Sequence, residues 1–250
     1  MCYDIKASLE AQLARAQREQ DHQAVEEIME KLIPLTDLPI HHASGFSHPE
    51  LLIYTDRSPD FPEVATWGLV PFWVNDEEQR KKLWNSTLNA RGETIFEKPA
   101  FRTAAQSNRC IVYVDGFYEH HHFKGKTYPF FIHRKDKTPM ALAGLWSEWK
   151  NDEGGALKTF TIVTTKGNAL LTKIHNNPKL KEARMPLILP PEIEDKWLSI
   201  GSQKAIEEFI RSYPDNELEA YTVRRLRGKD YVGNVPEISH AFEYVELQFD

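Results

Sequence analysis

The second residue of the chain is a cysteine that directly follows the initiator methionine. Removal of Met1 would leave Cys2 with a free α-amine and a thiol on one residue. In model peptides the amine titrates at about pH 7.7–8.0 and the thiol at about pH 8.5, so a modest local shift would supply either nucleophile. Such a pair can attack one aldehyde twice, the amine giving an imine and the sulfur then closing a thiazolidine ring. The alternative is that position 2 holds a small residue without a chemical role.

Four more side chains are of types that acid/base and phosphate chemistry uses. Glu119 ends an apolar run, where partial burial would raise the pKa of its carboxyl towards neutrality. His175 follows a short helical pattern and could move protons or bind phosphate. Asn89 and Arg91 would share one face of an extended backbone, and arginine binds phosphate bidentately. Taken singly, Glu119 could be a surface carboxylate and His175 an exposed or capping side chain.

Charge restricts the class of protein. The net charge of −6 over 250 residues argues against a dedicated duplex-DNA binder, which usually carries a basic face. A local basic cleft stays open, although single arginines are more often solvated surface charges. The candidate members of such a cleft are Arg91, Arg102, Arg109, Arg134, Arg184, Arg224, Arg225 and Arg227.

The chain shows no signal-peptide pattern and no apolar run long enough to span a bilayer, so we expect a cytoplasmic protein of the bacterial type. In that reducing compartment both cysteines, Cys2 and Cys110, are expected to be free thiols.

The pattern of elements predicts an α+β fold. Apolar residues recur at helical spacing over 7–32, which predicts one long helix or a helical hairpin, inserted at about residues 7–33. Without a repeat or a linker, we expect one domain over 1–250, built around a strongly curved, mostly antiparallel, barrel-like sheet with flanking helices. Further helices are predicted over 92–105, 169–174, 192–198 and 203–213. Strands are predicted over 51–55, 64–73, 109–119, 128–134, 140–149, 159–165, 185–189 and 218–226.

Histidines at 120–122 and 41–42 raise the question of a metal site. Neighbours on a strand alternate faces, and no Cys or carboxylate stands at a standard ligand spacing. Glycine-rich nucleotide motifs and a nucleophile elbow are also missing from the sequence. We therefore expect neither a metal nor a cofactor.

Read together, these segments resemble the SRAP family, the SOS-response-associated proteins that process abasic sites. The matching motifs follow in order along most of the chain. They are Met1-Cys2, Trp67-Gly68-Leu69-Val70-Pro71, Asn89-Ala90-Arg91, Arg109-Cys110-Ile111-Val112, Asp115-Gly116-Phe117-Tyr118-Glu119, Ala143-Gly144-Leu145-Trp146, Thr161-Ile162-Val163-Thr164-Thr165, His175 and Arg184-Met185-Pro186-Leu187-Ile188-Leu189.

The chain departs from the family pattern at three places. Residues 3–5 read Tyr-Asp-Ile where the family has Gly-Arg-Phe. His120 stands where the family has Trp, and residues 176–183 separate His175 from the Arg-Met-Pro motif.

The resemblance implies that Cys2 captures the ring-opened aldehyde of an abasic site in single-stranded DNA as a thiazolidine crosslink, which would protect such sites during a replication-coupled DNA damage response. Met1 would first be removed, autocatalytically or by an aminopeptidase. Glu119 would move protons, and Asn89 would position the sugar oxygens. His175 would contact the sugar-phosphate and assist formation or reversal of the crosslink.

The resemblance also implies how the DNA is held. Arg91 and Arg184 would bind the phosphates that flank the lesion, without base specificity. Aromatic residues near Trp67 would stack on a base or wedge a duplex end, as at a junction of single and double strand, although the same residues would serve equally in the core. A monomer would suffice, associated with the nucleoid when bound to DNA.

Two other functions fit the residues. A non-covalent module for single-stranded DNA would use the arginines alone, and replacement of Cys2 would leave its binding unchanged. A thiol peptidase would use Cys2 with His175 as its base, cleave peptides in trans and be inactivated by thiol alkylation.

Overall fold

The computed structural model describes residues 2–150 and 155–247. Its strands are β1 Asp4–Ala7, β2 Ile40–Ser44, β3 Glu50–Thr55, β4 Glu63–Trp67, β5 Asn89–Arg91, β6 Arg109–Val114, β7 Gly116–Phe123, β8 Lys126–Arg134, β9 Met140–Lys150, β10 Ala156–Lys166, β11 Arg184–Pro186, β12 Ile188–Leu189 and β13 Leu218–Thr222. Its α-helices are α1 Leu9–Arg18, α2 His22–Glu27, α3 Glu77–Trp84, α4 Arg102–Ser107, α5 Ala169–Ile174, α6 Pro191–Ser199 and α7 Gln203–Phe209.

The larger of two sheets closes into a barrel. Strands β3, β4, β10, β9 and β6 each pair with the next, and β6 pairs back with β3. The 11-residue strand β10 continues past the closed ring, where its end pairs with the short strands β5 and β11. Closure leaves no edge on these five strands and encloses a core in which Trp67 and Phe160 stack.

The second sheet has five strands in the order β13-β8-β7-β1-β2. The first strand of the chain, β1, therefore lies between two partners, antiparallel to both β7 and β2. The predicted fold class is confirmed: helix and sheet are mixed, the sheet is barrel-like, and only the pairings of β10 with β4 and β5 are parallel among the described strands.

The N-terminal helices pack on the outside of the barrel. Ser8 caps α1 by accepting from the amide of Ala11 at 3.0 Å, and its own hydroxyl donates to Asp115 at 2.8 Å. The buried Gln12 amide donates to the Tyr113 carbonyl and accepts from the Leu52 amide, so the helix joins two barrel strands. The predicted helical segment is two helices, and the second continues as a π-helical stretch over Ile28–Leu32. That this segment is an insertion stays a prediction.

Several of the sequence-based element predictions need correction. The strand expected over 64–73 ends at Trp67, the helix expected over 203–213 ends at Phe209, and the strand expected over 218–226 ends at Thr222. The helix expected over 92–105 is present only from Arg102 onwards, after an irregular stretch that contains Pro99. The strand expected over 109–119 is two strands, because the chain turns at Asp115. In the described parts of the chain, no helix is both long and apolar enough to cross a membrane.

Arg109, a candidate for the basic cleft, is instead an internal clamp. Its side chain is buried, and its guanidinium donates to backbone carbonyls on two elements. The acceptors are Ala105, Gln106, Trp197, Leu198 and Ile200. A planar five-donor group can satisfy this set, whereas an ammonium cannot.

We therefore expect Arg109→Lys to lower the free energy of unfolding by about 2–4 kcal/mol, because buried carbonyls lose their donors. The melting temperature should fall by roughly 5–10 °C in a thermal scan. Arg102→Lys is the control, since Arg102 is exposed on the same stretch of chain. Equal melting temperatures for the two variants would contradict the clamp.

Candidate active site

Cys2 lies where the two sheets meet. Asp4 pairs with Tyr118 across β1 and β7, so continuing that register by one residue sets Tyr3 opposite Glu119. On the other side, the amide nitrogen of Asn89 in β5 donates to the Cys2 carbonyl at 2.8 Å. Cys2 is thus fixed between β7 of one sheet and β5 of the other.

The thiol of Cys2 has no exposed surface. The thiol donates to the Asp4 carbonyl, 3.9 Å from the sulfur. Burial, and next the negative charge of Glu119, raise the pKa of the Cys2 thiol far above its usual value. At neutral pH the sulfur therefore carries its proton in this arrangement.

Asn89 and Arg91 are placed by a three-residue strand. Strand β5 runs parallel to the end of β10, with Asn89 opposite Ile162 and Arg91 opposite Thr164. As predicted for extended residues two apart, both side chains belong to one face of the strand. The buried Oδ1 of Asn89 has no hydrogen-bond partner among the described residues, and Arg91 is exposed.

Glu119 and His175 lie side by side. The Glu119 Oε2 atom is 3.3 Å from Nδ1 of His175, and both side chains are at least nine-tenths buried. Burial raises the pKa of the Glu119 carboxyl, and burial lowers the pKa of His175 to about 4. At pH 7 the imidazole is therefore neutral, and the carboxyl titrates closer to neutrality than an ordinary glutamate.

The Nδ1 atom of His175 meets three groups. The Glu119 carboxyl lies at 3.3 Å and the Arg184 carbonyl at 3.2 Å, and the Arg184 amide donates to the same nitrogen at 3.4 Å. These contacts fix the position of the ring beside Glu119.

Glu119 and His175 line a cavity of about 450 Å³, whose walls also include Tyr3, Asp4, Tyr118, His120, His122, Thr127, Pro129, Asn177, Leu180, Arg225, Leu226 and Arg227. Residues 176–183 form part of this wall. The Asn176 side chain accepts from the His122 amide at 2.7 Å and donates to the His122 carbonyl at 3.0 Å, which ties the segment to β7.

Two of the predicted DNA-binding side chains are buried instead. Trp67 has no exposed surface and donates from its indole to the Leu88 carbonyl at 2.8 Å. Arg184 is 2% exposed and binds both oxygens of Glu93, at 2.8 and 2.7 Å. The ring therefore has no face for a base, and the guanidinium has its fork occupied by a carboxylate.

Sequence reasoning missed a polar network behind Cys2. The buried Asp4 carboxylate lies 3.0 Å from His42 Nε2 and 2.9 Å from Arg227, and His42 Nδ1 lies 3.0 Å from the Tyr231 hydroxyl. Burial alone would raise the pKa of Asp4, but the hydrogen bond to His42 and the charge of Arg227 lower it. The sequence signal for this network was the histidine pair at 41–42, which we considered only as a possible metal site.

The histidines at 120–122 alternate faces as expected for a strand. His120 and His122 line the cavity, and His121 turns the other way, where its Nδ1 lies 3.0 Å from the Lys173 carbonyl. Within residues 2–150 and 155–247, no group of three His, Cys, Asp or Glu side chains is arranged to hold a metal ion.

Comparison with known proteins gives consistent matches. The sequence profile of the SOS response associated peptidase (SRAP) family matches residues 2–229. The abasic site processing protein YoqW of Bacillus subtilis is 38% identical over 179 residues, which cover 70% of this chain and 75% of YoqW. The abasic site processing protein HMCES of Pongo abelii is 28% identical over 261 residues, which cover 90% of this chain and 71% of HMCES. A crystal structure of a protein from Bacteroides thetaiotaomicron superposes with a TM-score of 0.83 at 33% identity, covering 97% of this chain and 100% of that one.

The raised pKa of Glu119 has a consequence for stability. A carboxyl whose pKa is higher in the folded state contributes stability below its unfolded pKa, and that contribution is lost as pH rises through the folded pKa. Glu119→Gln removes this loss and keeps an oxygen acceptor for the His120 amide, which bonds to Oε1 at 2.9 Å. We expect the variant to have a higher melting temperature than the parent, and the difference should grow from pH 4 to pH 8. Each kcal/mol of unfolding free energy that the variant gains should raise its melting temperature by about 2–4 °C.

Thermal scans across that pH range check this prediction, with the exposed Glu208→Gln as the control. A margin that is flat or that shrinks with rising pH would contradict the raised pKa.

Proposed function

Because this chain belongs to the SRAP family, we propose that it processes abasic sites in DNA and does so by crosslinking to them through Cys2. The relatives named as abasic site processing proteins support the first part. The second part is carried by one observation: Cys2, Asn89, Glu119 and His175, far apart in sequence, are brought together by the 2.8 Å bond from Asn89 to the Cys2 carbonyl and the 3.3 Å approach of His175 to Glu119.

The chemistry begins with removal of Met1, which lies outside the described residues. The freed α-amine of Cys2 adds to the aldehyde carbon of the opened abasic sugar, and loss of one water gives an imine. The sulfur then bonds to the same carbon, its proton passes to the imine nitrogen, and the ring closes as a thiazolidine. Amine, thiol and aldehyde thus combine with release of one water, and no oxidant or reductant is needed.

Glu119 is the group best suited to move these protons. Loss of water requires an acid and addition of the thiol requires a base, and a carboxyl with a raised pKa holds its proton to higher pH than an ordinary glutamate, which suits it to act first as the acid and then as the base. The thiol needs such a base, because its own pKa is raised by burial. The neutral His175 would contact the sugar-phosphate through hydrogen bonds and not through a charge, and it would assist formation or reversal of the crosslink.

Asn89 would hold the nucleophile and the sugar in register. Its nitrogen already fixes the Cys2 carbonyl, while its Oδ1 has no partner within the part of the chain that the structure describes. A buried acceptor without a donor is costly, so this atom is suited to receive a donor from a sugar hydroxyl or from the freed amine of Cys2.

The DNA contacts that fit are fewer than the resemblance implies. Arg91 is exposed beside Asn89 and would bind a phosphate that flanks the lesion. Among the aromatic residues that follow Trp67 up to Trp73, Phe72 is 63% exposed and would be the one to stack on a base or wedge a duplex end. The proposed substrate is single-stranded DNA, including its junction with duplex DNA. The protein is proposed to act as a monomer.

The rival functions differ in what they require of Cys2. A thiol peptidase needs a thiolate with a lowered pKa, usually beside a histidine, and burial gives this thiol the opposite shift. A non-covalent DNA-binding module would leave the contact of Cys2 with Asn89 and the pairing of Glu119 with His175 without a role.

Mixing the Met1-processed protein with single-stranded DNA that carries one abasic site should give a denaturant-stable adduct, measured by intact mass as protein plus DNA minus one water. Cys2→Ala should give none. Cys110→Ala is the matched control, because Cys110 is the other buried thiol, and it should react like the parent. A processed parent that binds the DNA but gives no adduct would leave the non-covalent module as the function.

The acid/base role makes a kinetic prediction. Glu119→Gln should slow adduct formation by about 10²- to 10⁴-fold, as is typical when a general acid/base is lost, with DNA affinity changed much less. Quenched time courses with a Met1-processed variant measure the rate, and anisotropy measures the affinity. An unchanged rate would remove Glu119 from the chemistry.

A further inference from the structure

A segment near the C-terminus forms one wall of the cavity beside Glu119 and His175. After β13, the Val223 amide donates to the Pro129 carbonyl at 3.0 Å, which holds the chain against the end of β8. Leu226 is buried there, and Arg225 and Arg227 on either side of it line the cavity. The Arg225 guanidinium also donates to the Thr127 carbonyl, so its position in the wall is fixed.

The two arginines differ in how far their charge is already balanced. Arg227 binds the buried Asp4 carboxylate at 2.9 Å, and its side chain is still 58% exposed. Arg225 lies over the rings of Tyr128 and Tyr244, with its guanidinium carbon 5.2 and 5.3 Å from their centroids. Among the residues that the structure describes, no carboxylate pairs with Arg225 within 4 Å.

The cavity is therefore suited to an anion. Its two carboxylates are Asp4, which Arg227 and His42 offset, and Glu119, whose pKa is raised. The charge of Arg225 remains, beside the ring N–H groups that His120 and His122 can offer. A guanidinium held by stacking on two rings keeps its forked N–H groups oriented, which is the geometry that binds phosphate bidentately.

We infer that Arg225, assisted by Arg227, forms a binding site for a DNA backbone phosphate next to the abasic sugar. This inference rests on the proposed function. Arg91 would hold a phosphate on the β5 side of Cys2, and Arg184 is occupied by Glu93, so a phosphate on the cavity side needs another cation. Arg225 lines the same cavity as Glu119 and His175 and supplies that cation.

The neighbouring Arg224 provides a matched control. It has the same side chain on the same segment, but it is exposed, lies over the Phe242 ring at 4.8 Å and takes no part in lining the cavity. Loss of Arg224 changes the net charge of the protein as loss of Arg225 does, without changing the proposed site.

The test uses the Cys2→Ala protein, so that binding is measured without crosslinking. Fluorescence anisotropy follows its affinity for a single strand with one stable tetrahydrofuran abasic analogue, at several salt concentrations. Arg225→Gln should weaken binding roughly tenfold, and the slope of log affinity against log salt should become shallower by about 0.7, the value for one lost phosphate contact on a single strand. Arg224→Gln should leave both unchanged, and Arg225→Lys should keep the slope while losing part of the affinity.

Single neutral methylphosphonates on either side of the lesion then locate the contact. At one position the substitution should weaken the parent but not Arg225→Gln, which identifies the phosphate that Arg225 binds. Equal effects of Arg224→Gln and Arg225→Gln, or no position coupled to Arg225, would overturn the phosphate site and leave the proposed function intact. Absence of any DNA binding by the Cys2→Ala protein would overturn the phosphate site, and absence of an adduct with the Met1-processed parent would overturn the proposed function as well.

Discussion

The site depends on the pairing of strand β1 on both of its edges. The first residues of a domain usually fray, but here Asp4–Ala7 are paired on both sides, between β7 and the edge strand β2. The Asp4 carboxylate adds a lateral anchor through His42 and Arg227. Cys2 lies two residues before this anchored strand, so its backbone position is set by the sheet, and the bond from Asn89 ties it to the barrel.

This arrangement requires ionisable groups to be buried. Burial raises the pKa of Cys2 and Glu119 and lowers the pKa of His175, so near neutral pH each group is driven towards its uncharged form. Uncharged groups exchange protons over short distances without the solvation that free ions need. In the proposed mechanism the same burial gives Glu119 its task, because a thiol with a raised pKa does not ionise unaided.

The sequence predicted the helices and strands that local residue patterns specify. Helix α5 follows the sequence pattern because Asn168 caps it, accepting from the Leu171 amide at 2.9 Å, and the strands of the middle follow from apolar runs. The contact of Asp4 with His42 joins residues 38 positions apart, and no local pattern encodes it. The glycine at position 92 is likewise set by a tertiary contact, because a Cβ there would lie 2.5 Å from the Ile210 side chain.

The arginines show why residue type and motif alone did not identify which of these side chains are available to a ligand. Arg109 is enclosed by carbonyls, Arg184 is paired with Glu93, and Arg91 is exposed beside Asn89. A buried guanidinium needs its donors filled by the protein, and the partners that fill them come from elements distant in sequence. In the proposed function, the arginines that bind phosphate are those that the fold leaves with unfilled donors near the site. In a chain of net charge −6, the arginines available to DNA are therefore selected by the partners that the fold supplies and not by sequence position alone.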